Sequence, residues 1–126
     1  MISIDDFKKL EIKIGHILSA EKVPDADKLL KLSVDMGLKL QSGPPDHSAK
    51  QNDLGERDIR QIISGIAIYF PDPQVLVGKK CAFVANLEPR VIRGFESQGM
   101  ILAVSGENFF SLLETTGDVT PGSIVK

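Results

Sequence analysis

The chain has 126 residues, a formal net charge of −2, and 42% hydrophobic and 25% charged residues, the balance of one soluble domain with its own core. No run approaches the roughly 18 apolar residues of a membrane span, and Met1-Ile2-Ser3-Ile4-Asp5-Asp6 lacks the basic and apolar blocks of a secretion signal. A lone cysteine, Cys81, excludes an internal disulfide and a multi-cysteine metal site, so a cytoplasmic protein with no membrane partner is expected. The acidic total argues against a general polyelectrolyte binder, but the charge is uneven. Residues 76–104 carry Lys79, Lys80, Arg90 and Arg93 against Glu88 and Glu96, a net of +2, while residues 105–126 carry Glu107, Glu114 and Asp118 against Lys126, a net of −2. A local positive face suits selective binding of modest affinity.

Ser3 to Leu10 reads as one helical turn. Ser3 can cap it, Asp5 and Asp6 suit its positive end, and Lys8 and Lys9 suit its C-terminus. Ile4, Phe7 and Leu10 recur at helical spacing and predict a buried face. From Glu11 the period becomes two: Ile12, Ile14, His16 and Leu18 alternate with more polar neighbours, and Gly15 predicts a bulge or bend. Val23-Pro24-Asp25-Ala26-Asp27 is a turn, and Leu29 to Asp35 a second strand. Residues 37–57 are rich in Gly, Pro, Asp and Asn and predict a long mobile loop within the domain. Asp58 to Ser64 is a third strand, and Tyr69 to Gly78 a turn with a short helical piece. Lys80 to Ala85 and Met100 to Val104 are the fourth and fifth strands, with one more available at Phe109 to Glu114. Five short strands with a small helical piece between the third and fourth predict an all-β, five-stranded Greek-key barrel of the OB-fold type, with short helical segments and a C-terminal extension. The whole chain, 1–126, is expected to be one domain, with the barrel at about 11–104 and the extension at 105–126.

OB-folds take ligands on the face of strands two and three, framed by the 1–2 and 4–5 loops. Here those loops are Val23 to Lys28 and Asn86 to Gln98. Lys28, Arg90 and Arg93 then stand at the rim of one groove. Arginine forks suit phosphate oxygens, and Asn, Ser and Gln can read sugar and base edges. By itself such a loop is also what a merely solvated surface looks like. The catalytic alternatives are poorer. His16 lies in a strand and His47 in the long loop, each without a neighbouring nucleophile. Asp25 and Asp27 sit where turns place Asp. No phosphate-cradling Gly-Lys-Ser/Thr motif, metal spacing or Gly-x-Ser-x-Gly frame occurs. No catalytic residue, metal ligand or cofactor is therefore expected.

Seven blocks, in order, carry a specific resemblance. They are Asp6-Phe7-x-Lys9-Leu10-x-Ile12-x-Ile14-Gly15, Pro24-x-Ala26-Asp27-Lys28-Leu29, Leu32-x-Val34-Asp35, Ile62-Ile63-Ser64-Gly65-Ile66-Ala67, Leu76-Val77-Gly78-Lys79-Lys80, Ala85-Asn86-Leu87-x-Pro89-Arg90 and Ser97-Gln98-Gly99-Met100-Ile101-Leu102-Ala103. From Ile4 to Val104 the chain resembles the tRNA-binding OB domain found at the C-terminus or as the beta subunit of methionyl-tRNA synthetases, as free bacterial tRNA-binding proteins, and in eukaryotic synthetase cofactors. The resemblance implies a noncatalytic module that binds tRNA by shape and backbone, partners methionyl-tRNA synthetase in cis or in trans, and dimerises through residues after the barrel. It carries a tRNA-binding role onto Asn86, Arg90, Arg93, Ser97 and Met100, with Lys28 beside them. Asn86 and Ser97 would bond the RNA or hold the loop, and Met100 would touch RNA or pack beneath it. Gly94 and Gly99 are assigned to conformation.

Two positions depart from the family. Val91 stands where a basic residue is usual, and Glu88 where one is frequent, which weakens phosphate attraction. With roughly four to six neutralised phosphates the salt slope would be on the order of 3 to 5. The alternative function is a protein-binding OB module, a chaperone similar to bacterial secretion chaperones or an assembly domain. For the homodimer, Phe109, Phe110, Leu112 and Leu113 form an apolar cluster that either faces a second copy or packs on the chain's own barrel.

Overall fold

The computed structural model describes residues 1–39 and 56–126. Most of the loop expected at 37–57 lies outside them. Its two ends continue a strand pair: Leu38 opposes Arg57, and Lys39 N–H donates to the Glu56 carbonyl at 2.9 Å.

The chain begins with one helical turn, α1 (Ile4–Phe7), whose N-cap Ser3 accepts from Asp6 N–H at 3.1 Å. The expected buried face is absent. Ile4 is 66% exposed and Leu10 45%, and only Phe7 is half-buried.

Among the described residues nine strands follow: β1 (Ile12–Val23), β2 (Ala26–Leu38), β3 (Arg57–Ser64), β4 (Lys80–Val84), β5 (Arg90–Ile92), β6 (Phe95–Ser97), β7 (Met100–Ile101), β8 (Ala103–Ser105) and β9 (Phe110–Leu112). A curled antiparallel sheet has the order β3-β2-β1-β4-β7. Its outer strands approach each other where Gln98 N–H donates to the Gln61 carbonyl at 2.8 Å and Ile63 N–H donates to Ser97 Oγ at 3.0 Å. This is the all-β, OB-like architecture expected from the strand spacing. Two 3-10 turns, Ala67–Tyr69 and Pro73–Leu76, bridge β3 and β4 and press Ala67 and Leu76 into the core.

The long strand β1 serves two neighbours. Its first half, Ile12 to His16, pairs with Val84 to Lys80, and its second half pairs with β2. Its register slips between Ile17 and Ser19, so the bulge falls at Leu18 rather than at Gly15. One extra residue reverses the inside–outside phase. Ile17 and Ala20 are therefore both buried on either side of the exposed Leu18, and a second shift between Lys22 and Val23 returns Val23 to the interior. Gly15 answers a different need. A Cβ there would lie 2.5 Å from Val34 Cγ1 and 2.8 Å from both Met36 Sδ and Phe83 Cδ1. Glycine lets β1 cross the core at close range.

The core is a contiguous cluster including Ile17, Leu30, Leu32, Val34, Met36, Ile62, Leu76, Cys81, Phe83 and Ile101. The expected fifth strand is broken. Met100 and Ile101 pair with β4, whereas Ala103 to Ser105 pair with β9. Residues beyond Ser105 are bonded into the barrel. Ala82 N–H donates to Leu113 O at 3.0 Å, Thr115 N–H to Lys80 O at 3.1 Å, Ile14 N–H to Ser123 O at 2.9 Å and Val125 N–H to Ile12 O at 2.8 Å. They partner the edges of β1 and β4, as the pairing requirement of backbone groups demands. Of the apolar cluster at 109–113, Leu112 and Phe110 pack on the chain's own core, while Phe109 and Leu113 are exposed.

Candidate nucleic-acid interface

The 86–98 segment is a hairpin arm rather than an irregular loop. β5 and β6 pair with Arg90 opposite Ser97, Val91 opposite Glu96 and Ile92 opposite Phe95. The turn is Arg93-Gly94, with φ of 52° and 84°. Positive φ at both central residues is the tight hairpin geometry that matches strand twist. Holding a side-chain-bearing residue there is uncommon, and it sets Arg93 at the exposed tip.

Opposed residues share a face. Arg90, Ile92, Phe95 and Ser97 therefore lie on one face of the arm, and Val91 and Glu96 on the other. Ser97 identifies which face turns inward. It is buried; its hydroxyl accepts from Ile63 N–H and donates to Gly99 O at 3.1 Å. Phe95 follows it inward only in part, and Lys31 of β2 places its Nζ 4.9 Å from the ring centroid. Val91, on the opposite face, is 75% exposed.

The structure brings Lys28 and Arg93 together. They line one groove with Asp25, Asp27, Leu29 and Ile92, between the β1–β2 turn and the arm tip. Two carboxylates offset two cations there, so the groove itself is formally neutral. Among the described residues Arg90, Arg93 and Lys28 are exposed and take no ion-pair partner. Lys79 and Lys80, which contribute to the positive balance of 76–104, are paired with Glu114 at 3.1 Å and Asp118 at 3.2 Å. The free positive charge is thus narrower than the sequence count.

Three other expected site residues have local work. Asn86 uses both ends of its amide, accepting from Glu11 N–H at 2.8 Å and donating to the Lys9 carbonyl at 2.6 Å. This ties the start of the arm to the chain just after α1. Ser97 is committed as above, so Asn86 and Ser97 hold the arm in the free protein. Met100 lies in β7 opposite Val84 and is 47% exposed. Gly99, with φ of 156°, has no room for a Cβ, which would come within 3.0 Å of Ile62 Cδ1 and Val84 O.

Residue-by-residue reading missed Lys31, Phe95 and Arg60. An aromatic flanked by arginines in a polar segment is the available signal for Phe95, since exposed rings beside cations stack bases. Lys31 is legible as an outward position of β2. Arg60 carries no local signal. Its guanidinium binds the Asp58 carboxylate through Nε and Nη2, and its Nη1 donates to the carbonyls of Ala85 and Gln98. Of the sites considered for chemistry, Cys81 is fully buried, and burial, aided by Glu114 and opposed by Lys79, pushes its thiol up to about 11. It is a core side chain and not a nucleophile. His16 is half-buried in β1, and His47 lies outside the described residues.

Residues 48–124 match the family model described as "Putative tRNA binding domain". The methionine–tRNA ligase of Thermotoga maritima is 40% identical over 124 residues, covering 98% of this chain and 16% of the ligase; the chain thus spans about a sixth of such relatives. Among solved structures, the MetRS related protein from Pyrococcus horikoshii superposes with a TM-score of 0.79 at 34% identity, covering 100% of this chain and 98% of that one. The chaperone CsaA of Bacillus anthracis reaches 0.75 at 24% identity, with 100% and 99% coverage. The last likeness is one of fold.

Proposed function

This chain belongs to the tRNA-binding-domain family matched over residues 48–124, and from that membership we propose that it is a noncatalytic module that binds tRNA and supports methionyl-tRNA synthesis. The observation that carries the reading is the arm. It presents Arg90 and Arg93 without ion-pair partners among the described residues, and it sets Arg93 across a groove from Lys28. Phe95 and Lys31 flank the same face. Cations at a rim with an aromatic behind them fit a folded polyanion whose backbone is gripped and whose exposed bases can stack. We assign Lys28, Arg90 and Arg93 to phosphate contacts, and Met100 to the apolar rim. Asn86 and Ser97 position the arm. The synthetase's catalytic region acts in cis or in trans, and tethering raises the tRNA concentration near it.

We further read residues 1–126 as one binding unit, with Phe109 and Leu113 on the exposed side of the C-terminal segment as part of a homodimer contact. The chaperone reading rests on a shared barrel, and peptide capture without RNA would favour it.

The test is a fluorescence-anisotropy titration with tRNA and with duplex DNA at several salt concentrations. Micromolar binding that prefers tRNA is expected, with a log–log salt slope on the order of 3 to 5. Arg90→Ala and Arg93→Ala should each weaken binding by about 1 kcal/mol and lower the slope by roughly one phosphate. Equal affinity for duplex DNA would sink the proposal.

A further inference from the structure

We propose that Arg60 is a positioning residue for the tRNA-binding arm: it locks both feet of the β5–β6 hairpin to the barrel without touching RNA itself. The proposal rests on the tRNA reading above for its consequence in binding, but not for its geometry.

The arm leaves the barrel after Ala85 and rejoins it at Gln98. These two residues supply the carbonyls that Arg60 Nη1 holds, at 3.3 Å for Gln98. Arg60 lies in β3, the strand on which the arm leans, so one guanidinium joins three pieces of chain that are distant in sequence. The other side of the fork is closed by Asp58, with Nε at 3.2 and 3.1 Å from its carboxylate oxygens and Nη2 at 2.9 Å. An arginine has five N–H donors. Nε uses one, Nη1 two and Nη2 one, leaving a single Nη2 hydrogen. The charge is also matched by a carboxylate, and both side chains are largely shielded, at 21% and 24% exposure. A guanidinium so engaged is a poor phosphate ligand, whereas a planar fork holding two carbonyls at a fixed spacing is a good splint.

Neighbouring contacts share this task without duplicating it. Gln61 N–H donates to Gln98 Oε1 at 3.0 Å and its Nε2 to Glu96 O at 2.9 Å. These hold only the returning strand. Asn86 ties the outgoing side to the Lys9–Glu11 backbone. Arg60 is the side chain that spans both feet, and therefore sets the angle at which Arg90 and Arg93 are presented.

The experiment pairs hydrogen exchange of the free protein with tRNA titrations. In Arg60→Gln, amides of Val91 to Ser97 should exchange about tenfold faster, while β1–β2 amides keep their protection. Arg60→Lys retains the charge but not the fork, and should behave like Arg60→Gln in exchange and bind tRNA roughly tenfold more weakly. On an Arg90→Ala/Arg93→Ala background, Arg60→Gln should add less than about twofold, because a splint has nothing left to present. Wild-type affinity in Arg60→Lys, or a full additive loss on the double-variant background, would overturn the proposal in favour of a direct phosphate contact. Unchanged arm exchange in Arg60→Gln would also end it. Should Arg60→Gln unfold the barrel, Asp58→Ala decides: it keeps the cation and removes both carboxylate acceptors that orient its fork, so faster arm exchange supports the splint and unchanged exchange refutes it. Arm exchange is read without RNA. A wild-type protein that ignores tRNA would defeat the functional reading alone.

Discussion

Lys28 and Arg93 come from two turns far apart in sequence, yet they line one groove. Their alignment depends on two residues held at positive φ, Asp25 at 62° and Arg93 at 52°, each at the end of a tight hairpin. Positions that place side chains in a left-handed conformation tend to be retained where geometry matters more than stability. Gly15 shows the same logic in the core. The methyl group of Gly15→Ala would meet Val34, Met36 and Phe83 at 2.5 to 2.8 Å. Overpacking of this kind costs about 1 to 3 kcal/mol, so thermal denaturation should show a clearly lowered Tm with unchanged strand content. Gly15 was visible in the sequence as an interruption of a strand, but its reason was not. A bulge and a close crossing leave the same mark in a one-dimensional pattern, and only the positions of Val34 and Phe83 tell them apart.

At the scale of elements, the arm is where a loop becomes a machine part. Its two strands are three residues each and would not persist alone, since isolated two-stranded hairpins are marginal in water. Anchors at its base make the difference: Ser97 to β3, Gln61 to Gln98 and Glu96, Arg60 to both feet, and Asn86 to the segment after α1. Asn86→Ala deletes two hydrogen bonds and leaves the Glu11 N–H and Lys9 carbonyl to solvent. At about 0.5 to 1.5 kcal/mol for each exposed bond, the loss should be modest for the whole protein. It should concentrate at the N-terminus, where hydrogen exchange of α1 and Glu11 should rise well before that of β1 and β2. The helical turn itself was legible, from its Ser3 cap and acidic first turn. Its exposed face was not, because i, i+3 spacing states which residues share a side and not whether anything lies beneath them.

At the scale of the molecule, the barrel and the C-terminal segment depend on each other. β1 and β4 each have an edge that residues 113–125 satisfy through backbone bonds, and Leu112 enters the core. Gly37 and Gly122 pack backbone to backbone, with a Cβ on either meeting the other strand within 3.0 Å. Removing residues 106–126 would strip partners from Ile14, Ala82 and Lys80 and uncover Cys81. A truncated chain should therefore be strongly destabilised or fail to fold cooperatively, as circular dichroism melting would reveal; a truncation with wild-type Tm would contradict this interdependence. A barrel ending near residue 104 is where periodic strand patterning stops, but the hydrogen-bonded unit continues past it. The same segment takes up Lys79 and Lys80 through Glu114 and Asp118. Exposed pairs of this kind add little stability, but they take Lys79 and Lys80 out of the unpaired positive charge of residues 76–104, leaving Arg90 and Arg93 of the arm.

The sequence alone determined the strand-rich class, the turn at Pro24-Asp25, and the seven ordered blocks that mark the family. These are local properties: alternation, turn chemistry and residue order are set by neighbours along the chain. Tertiary structure decided the rest. It put the bulge at Leu18, made the 86–98 segment a hairpin, engaged Asn86 and Ser97 as supports, and brought Arg60 to both feet of the arm. Apart from the hairpin's own short pairing, each of these is a contact between residues far apart in sequence, and such contacts are fixed by where a backbone donor or a cavity in the packed barrel needs a partner, which no local pattern encodes.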